Sequence, residues 1–188
     1  MKKSIIILAF SIALTIIAGF KPVAQKLVST KSHIKFFSHT PAEDIEANNY
    51  KMVSTIDTQT GNIVFSVPMQ SFEFEKSLMQ KHFNNADFLD TKVHPKAKLT
   101  GKITNLKDIK FDKDGVYTAI IGGELTIKGV TKAIKEKGTI TVKGSIVEVN
   151  SKFNLKLADF GITFAKGKPS TNIAETVEVT VYSAYQPE

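Results

Sequence analysis

Hydrophobic and polar residues alternate over most of this chain, which is the pattern of β-strands with one buried face. Phe153 and Leu155 alternate with lysine and asparagine, and Val177 and Val179 alternate with glutamate and threonine. The segments that this pattern predicts as strands are 27–37, 50–57, 61–67, 66–75, 96–106, 117–128, 131–137, 139–149, 151–158 and 175–185. Residues 41–47 are acidic and polar and favour a turn or one helical turn. About eight such strands with short connections predict an all-β antiparallel sandwich or barrel.

The alternating pattern does not decide whether the interior of such a barrel is filled. A barrel of about eight strands has an interior that side chains just fill or that holds one small ligand. Within the segment 117–128, Gly122 and Gly123 are costly unless they form a bulge, bend the strand or leave room for a neighbour.

Residues 77–101 interrupt the alternation with apolar and aromatic side chains that follow no period of two. Ser77 is a suitable helix N-cap, and an asparagine pair is a suitable stop, so the segment predicts a short helix over 77–83. In that helix Leu78 and His82 are four residues apart and lie on one side. A short apolar helix in an all-β chain is expected to cover part of the barrel, as an edge cover, an end plug or the roof of a cavity.

The first residues are predicted to be a secretory signal peptide. Two lysines follow the initial methionine, an apolar run comes next, and small residues allow cleavage after Gly19 or after Ala24. An uncleaved membrane anchor is the alternative, but the run is shorter than the roughly 20 residues that a spanning helix needs. We therefore predict a signal peptide over 1–24, a mature domain over 25–188 and a periplasmic location.

Composition limits the partners of this chain. All 25 basic residues are lysine, and the net charge of +7 falls by two, to +5, without the lysines at the start of the signal peptide. Because proteins that read nucleic acid rely on arginine, we predict no nucleic-acid partner. The lysines are spread along the strands and indicate a solvated outer face, with weak, transient attraction to anionic membrane surfaces as the alternative.

The sequence has no recognisable catalytic or metal-binding pattern. It has no cysteine, and hence no disulfide, and no G-x-S-x-G motif to supply a nucleophile. Its four histidines, at 33, 39, 82 and 94, lack the spacing of a metal site. We therefore predict no enzyme, no metal and no cofactor. An enzymatic hypothesis would need polar groups of perturbed ionisation to converge on a pocket.

Several stretches, in order, resemble one known family. They are SHIKFFSH (32–39), LMQKHFNNADFLDTKVHPKAKLTG (78–101), GELTIKGVTK (123–132), ADFGI (158–162) and IAETVEVTV (173–181). They are similar to the YceI-like family of periplasmic lipid- or polyisoprenoid-binding proteins. The resemblance implies a single lipocalin-like barrel with an elongated apolar pore for an isoprenoid or similar amphiphilic chain. The chain departs from the family at Gln80 and Lys81, usually arginine and aspartate, and at Leu89, usually aromatic, which would alter ligand choice.

Candidate ligand-binding residues come from the inward positions of the strands and from the central segment, although core packing is the default role of each. They are Ile34, Phe36, Phe65, Phe72, Phe74, Leu78, His82, Phe83, Phe88, Leu89, Leu125, Ile127, Phe153, Leu155 and Phe160. A lysine or the region of His82 would hold the polar headgroup at the mouth of the pore.

Two functions follow from these observations. The first is that the protein binds an amphiphilic isoprenoid or other lipid chain for carriage, storage or sequestration in the periplasm. The alternative is a secreted structural or stress-protective barrel with a filled core, which contacts proteins through its lysine-rich faces and binds no ligand. Cavity volume distinguishes them. The sequence leaves open which lipid is bound, where it enters, and whether two barrels pair as a homodimer through exposed edge strands.

Overall fold

The computed structural model of the protein describes residues 26–163 and 172–188, so the predicted signal peptide lies outside the described residues. The elements are β1 (Lys26–His39), β2 (Asp44–Asn49), β3 (Val53–Asp57), β4 (Asn62–Pro68), β5 (Glu73–Phe74), α1 (Ser77–Asn84), β6 (Lys96–Ile103), β7 (Gly115–Ile127), β8 (Val130–Lys143), β9 (Ile146–Lys156) and β10 (Thr176–Pro187). Within these ranges, no helix has the length and apolar character needed to cross a membrane.

Eight of the strands close into an antiparallel barrel. Their order is β1-β3-β4-β6-β7-β8-β9-β10, and pairing of β10 with β1 completes the ring. The other edge of β1 is shared: residues 26–28 pair with β3, and residues 34–39 pair with β2, which carries β5 outside the ring. The predicted all-β barrel with a short helix is confirmed.

The prediction of a turn over residues 41–47 is wrong in its second half, because strand β2 begins at Asp44. Ile45 and Ala47 are buried while Asp44 and Glu46 are exposed, so the short strand alternates despite its polar composition. Strand propensity depends on context. Pairing with the long strand β1 makes this segment a strand, although its own sequence does not predict one.

Two other strand boundaries also differ from the prediction. The predicted strands 131–137 and 139–149 form one continuous strand, because the backbone of Gly138 lies within β8 and pairs with both neighbouring strands. The turn comes instead at Gly144, whose N–H donates to Asp114 Oδ1 at 2.8 Å. The predicted strand 66–75 is interrupted after Pro68 by a 3-10 turn over Met69–Ser71, so this proline bends the run.

Gly101 and Gly123 face each other on the inner surface of the barrel, where β6 pairs with β7. A Cβ placed on Gly123 would lie 2.5 Å from Gly101 Cα and 2.5 Å from Thr100 O. Three roles were predicted for the glycine pair. The one that applies to Gly123 is to leave room for the backbone of the neighbouring strand.

The half of the barrel that contains the start of β1 and the end of β10 is filled by side chains. The largest fully buried residues there include Ile56, Ile103, Ile140 and Tyr185, each at most 1% exposed. The Tyr185 hydroxyl lies 2.6 Å from Ser54 Oγ, which lies 3.3 Å from Ser183 Oγ. Burial raises the pKa of the Tyr185 phenol, and its hydrogen bonds with Ser54 and Ser183 act in the opposite direction.

Tyr185→Phe tests this buried phenol. At neutral pH we expect the variant to be about 1 kcal/mol less stable, because Ser54 loses a hydrogen-bond partner. Above about pH 10 an unfolded tyrosine ionises while the folded one stays protonated, so the wild type loses up to about 1.4 kcal/mol per pH unit more than the variant. Urea unfolding of both proteins across this range measures the difference. A stability gap that does not change with pH would contradict the assignment.

Candidate functional site

The other half of the barrel is hollow. It contains a cavity of about 150 Å³ whose accessible wall is apolar throughout. Ile121 and Val149 line the cavity on the side of the filled half. A cavity of about this size holds a benzene-sized apolar group. A longer ligand therefore has to displace side chains of the wall or extend out of the barrel.

Eleven of the fifteen candidate residues line this cavity. They are Ile34, Phe36, Phe65, Phe72, Phe83, Phe88, Leu89, Leu125, Ile127, Phe153 and Leu155. The alternation of the strands places most of them there, since it separates inward from outward positions. Their contact with a ligand stays a prediction.

Four candidates lie elsewhere. Leu78 is 60% exposed and His82 is also exposed, and neither lines the cavity. Both lie on the solvent side of α1, because Phe83 is the one residue of that helix that is buried. A role of the His82 region in holding a headgroup stays a prediction. Phe74 packs on Phe83 from outside the cavity, with ring centroids 5.0 Å apart. Phe160 is buried in the 3-10 turn Leu157–Phe160, where Leu157 takes the lining position.

The cavity wall also contains residues that were not among the candidates. They are Met52, Val67, Met69, Ala97, Lys98, Leu99, Ile121, Ile134, Glu136, Val149, Ser151, Leu157, Ile162, Ile173, Val177, Val179 and Val181. For most of those that lie in strands, the same alternation in the sequence indicated an inward position. Glu136 was hidden by the predicted break at Gly138, because β8 must be continuous before Glu136 shares a face with the buried Ile140.

An aromatic cluster, defined as Phe36, Phe72, Phe74, Phe83 and Phe88, forms the roof of the cavity. The ring of Phe83 lies at its centre, 5.4 Å from Phe72, 5.7 Å from Phe36 and 6.2 Å from Phe88 between ring centroids. These separations are those of favourable aromatic pairs. The cluster joins α1 to β1 and to the segment after β4.

Besides Phe83, the helix is attached at its C-terminal end, where Asn84 Oδ1 accepts a hydrogen bond from the buried Thr91 Oγ1 at 2.8 Å. Its N-cap is Lys76 and not the predicted Ser77, and no side chain caps it. Lys76 Nζ lies 2.6 Å from Glu43 Oε1, and the hydrogen bond to Glu43 holds the pKa of Lys76 above its ordinary value. An exposed ion pair contributes little to stability. The roof is therefore held by the aromatic ring of Phe83 and by the hydrogen bonds between Asn84 and Thr91.

Two of the histidines make local contacts with neighbouring side chains. His33 Nε2 lies 2.8 Å from Asn48 Oδ1, and its ring stacks on Tyr50 with centroids 4.6 Å apart. His39 Nδ1 lies 2.6 Å from Asp44 Oδ1. Over the described ranges 26–163 and 172–188, no three histidine, aspartate or glutamate side chains converge as a metal site requires.

Comparison with known proteins relates the chain to one family. The model of the YceI-like domain matches residues 25–184. A UPF0312 protein of Pseudomonas putida (strain W619) is 34% identical over 112 residues, 56% of this chain and 53% of the relative. A UPF0312 protein of Pseudomonas syringae pv. tomato (strain DC3000) is 34% identical over 106 residues, 53% of this chain and 50% of the relative. The chain thus spans about half the length of the curated relatives it matches.

Solved structures share the fold. A polyisoprenoid-binding domain from Saccharophagus degradans has a TM-score of 0.73 at 13% identity, over 88% of this chain and 99% of that one. Burkholderia cenocepacia BcnA has a TM-score of 0.68 at 17% identity, over 81% of this chain and 95% of that one. The Campylobacter jejuni YceI protein has a TM-score of 0.57 at 17% identity, over 100% of this chain and 99% of that one.

Proposed function

We propose that this chain, which belongs to the YceI-like domain family, binds an isoprenoid or other amphiphilic lipid chain in the hollow half of its barrel. The observation that carries the proposal is a cavity with a wholly apolar wall next to a fully packed half. A solved neighbour of the same fold is described as a polyisoprenoid-binding domain, which supports the same ligand class here.

The energetics favour a chain-like ligand. Each methylene moved from water into an apolar wall contributes about 0.8 kcal/mol, so a lipid tail needs few polar contacts. Without rearrangement, the cavity accepts the first part of a lipid tail. A longer tail has to displace the ring of Phe83 or extend out of the barrel through the wall. The polar residues that touch the cavity are Lys98, Glu136 and Ser151, which do not form a nucleophile with its base, so binding is the proposed role and not catalysis.

On the strength of the predicted signal peptide, we further propose that the protein carries, stores or sequesters its lipid in the periplasm. Native mass spectrometry of the protein, purified from its envelope without detergent, tests the proposal. We expect an added mass that is extracted by organic solvent as an isoprenoid or fatty amphiphile. A mass with no added lipid, together with no uptake of offered lipids, would overturn the proposal and favour a structural barrel that binds no ligand.

Leu125→Trp tests whether the cavity is the place of binding. Leu125 lies beside Leu99 of the neighbouring strand on the wall of the hollow half, and the larger ring fills space that about two methylenes of a tail would use. Since these contribute about 1.6 kcal/mol, we expect lipid affinity to fall roughly tenfold. Titration with a fluorescent fatty acid measures the affinity. Val116→Trp is the matched control, because Val116 is 71% exposed on the same strand, and equal losses in both variants would contradict the location.

A further inference from the structure

The wall of the hollow half opens between two neighbouring strands. β8 and β9 pair from Lys143 and Ile146 to Gly138 and Ser151, and their pairing ends there. Both strands continue, since residues 130–137 stay paired with β7 and residues 152–156 stay paired with β10. Among the described residues, neither edge pairs with another strand beyond this point, and the two edges form what we call the β8–β9 wedge, residues 130–137 and 152–156.

Local hydrogen bonds mark both ends of the wedge. At its vertex, Ser151 Oγ donates to Lys137 O at 2.8 Å, so a side chain supplies the last link between the strands. At the wide end, Lys128 Nζ donates to Gly161 O at 3.2 Å and ties the turn after β9 to the turn before β8. The separation of the strands is therefore bounded.

Burial changes abruptly at the vertex of the wedge. On the paired side, the inward residues Ile140 and Val149 are 1% and 3% exposed. On the open side, Ile134, Glu136 and Phe153 occupy the same inner faces of these strands, line the cavity and are only half-buried. The cavity wall is thus less protected from solvent at the wedge than on the paired side.

Glu136 is the polar side chain of the wedge that also lines the cavity, apart from Ser151 at its vertex. Register places it inside the barrel opposite the buried Ile121, and its carbon atoms contact the cavity. It forms no hydrogen bond or ion pair with any residue in the described part of the chain. The Ser151 hydroxyl is already used, and Lys98 is exposed on a strand whose neighbouring positions, Ala97 and Leu99, face inward.

An ionised carboxylate can only accept hydrogen bonds, so its partner must donate. A phosphate or carboxylate at the same place would meet like charge beside an apolar wall, where water screens poorly. Lys135 and Lys137 alternate with Glu136 and so lie on the outer face of β8, away from the cavity. Lys132 is exposed on the same face as Glu136, but it lies four residues closer to the wide end of the wedge, about 13 Å along the strand.

We propose that the β8–β9 wedge is the mouth through which the polar end of the lipid leaves the cavity, and that Glu136 there accepts a hydrogen bond from it. Glu136 is then a specificity-determining residue that selects lipids whose first polar group is a hydroxyl, amide or amine over a phosphate or carboxylate. This inference rests on the proposed lipid binding and names the headgroup class for the same site.

Geranylgeraniol and geranylgeranyl monophosphate, which share one tail, test the selection. We expect the wild type to bind the alcohol roughly tenfold more tightly than the phosphate, about 1.4 kcal/mol, and Glu136→Gln to bring the two affinities close to parity. Glu124→Gln removes the same charge from the exposed outer face of β7 and should keep the wild-type preference. Equal binding of the two lipids by the wild type, or a preference unchanged in Glu136→Gln, would overturn the role of Glu136 and leave lipid binding intact. Binding of neither lipid would overturn both proposals.

Cysteine labelling tests the location of the mouth, because the chain has no native cysteine. Ile134→Cys places a thiol in the wedge, and Leu78→Cys places one on the solvent side of α1. We expect geranylgeraniol to slow maleimide labelling at position 134 and not at 78. Protection at 78 with none at 134 would place the mouth at the roof and overturn the proposal.

Discussion

Phe83→Ala is expected to lower the free energy of unfolding by about 3–5 kcal/mol, the usual cost of removing a buried phenylalanine. Phe83 is 6% exposed and contacts four other rings of the aromatic cluster. Its loss also removes the one buried side chain of α1, so the helix should detach from the barrel before global unfolding. Urea unfolding followed by circular dichroism measures the first effect, and amide hydrogen exchange over residues 77–84 measures the second.

Two further variants separate the roof from a general loss of packing. Phe83→Leu keeps much of the apolar volume and should cost much less than the alanine variant. Leu78→Ala changes an exposed residue of the same helix and should leave both stability and exchange close to wild type. Exchange over α1 that remains slow in Phe83→Ala would show that other contacts hold the roof.

The same variant has a functional consequence. Removing the ring enlarges a cavity that now accepts only a benzene-sized group. If a lipid tail displaces Phe83 when it binds, the alanine variant avoids that cost and should take up a fluorescent fatty acid more rapidly than the wild type. Slower uptake would mean that Phe83 contacts the tail and does not block it.

Gly123→Ala is expected to destabilise the barrel by about 2–3 kcal/mol, even though alanine restricts the unfolded chain and by itself adds stability. The new methyl would lie 2.5 Å from both Gly101 Cα and Thr100 O, and backbone atoms in a paired ladder cannot move aside as a side chain tip can. Thermal and urea unfolding measure the loss. Gly101→Ala meets Gly122 O at 2.6 Å and should behave alike.

The neighbouring glycine provides the control. A Cβ on Gly122 approaches only Thr104 Cγ2, at 3.3 Å, which is the end of a side chain. Gly122→Ala should therefore cost less than 1 kcal/mol or be neutral. Similar losses at both glycines would indicate that strand propensity matters here and that the close approach does not.

The alternation in the sequence was sufficient to predict an all-β antiparallel sandwich or barrel, because the inward and outward positions of a strand alternate whatever the strand pairs with. The choice of a single barrel came from the family resemblance. Phe153, Leu155 and Val179 alternate in the chain and face the interior in the barrel. The short helix was also predictable, since an apolar segment without a period of two cannot continue a sheet. The sequence motifs indicated the family, which the match over residues 25–184 shows.

Only the tertiary structure decided how the interior is used. In the continuous strand β8, Ile140 and Glu136 both lie at inward positions, but whether such a side chain is packed depends on what the opposite strands supply. Tyr185 and its isoleucine neighbours fill one half, while the Gly101–Gly123 pair adds no side-chain volume. The end of β8–β9 pairing at Ser151 was likewise invisible, because pairing is a property of two distant segments and not of either alone. The hollow, its roof and its opening therefore come from long-range contacts.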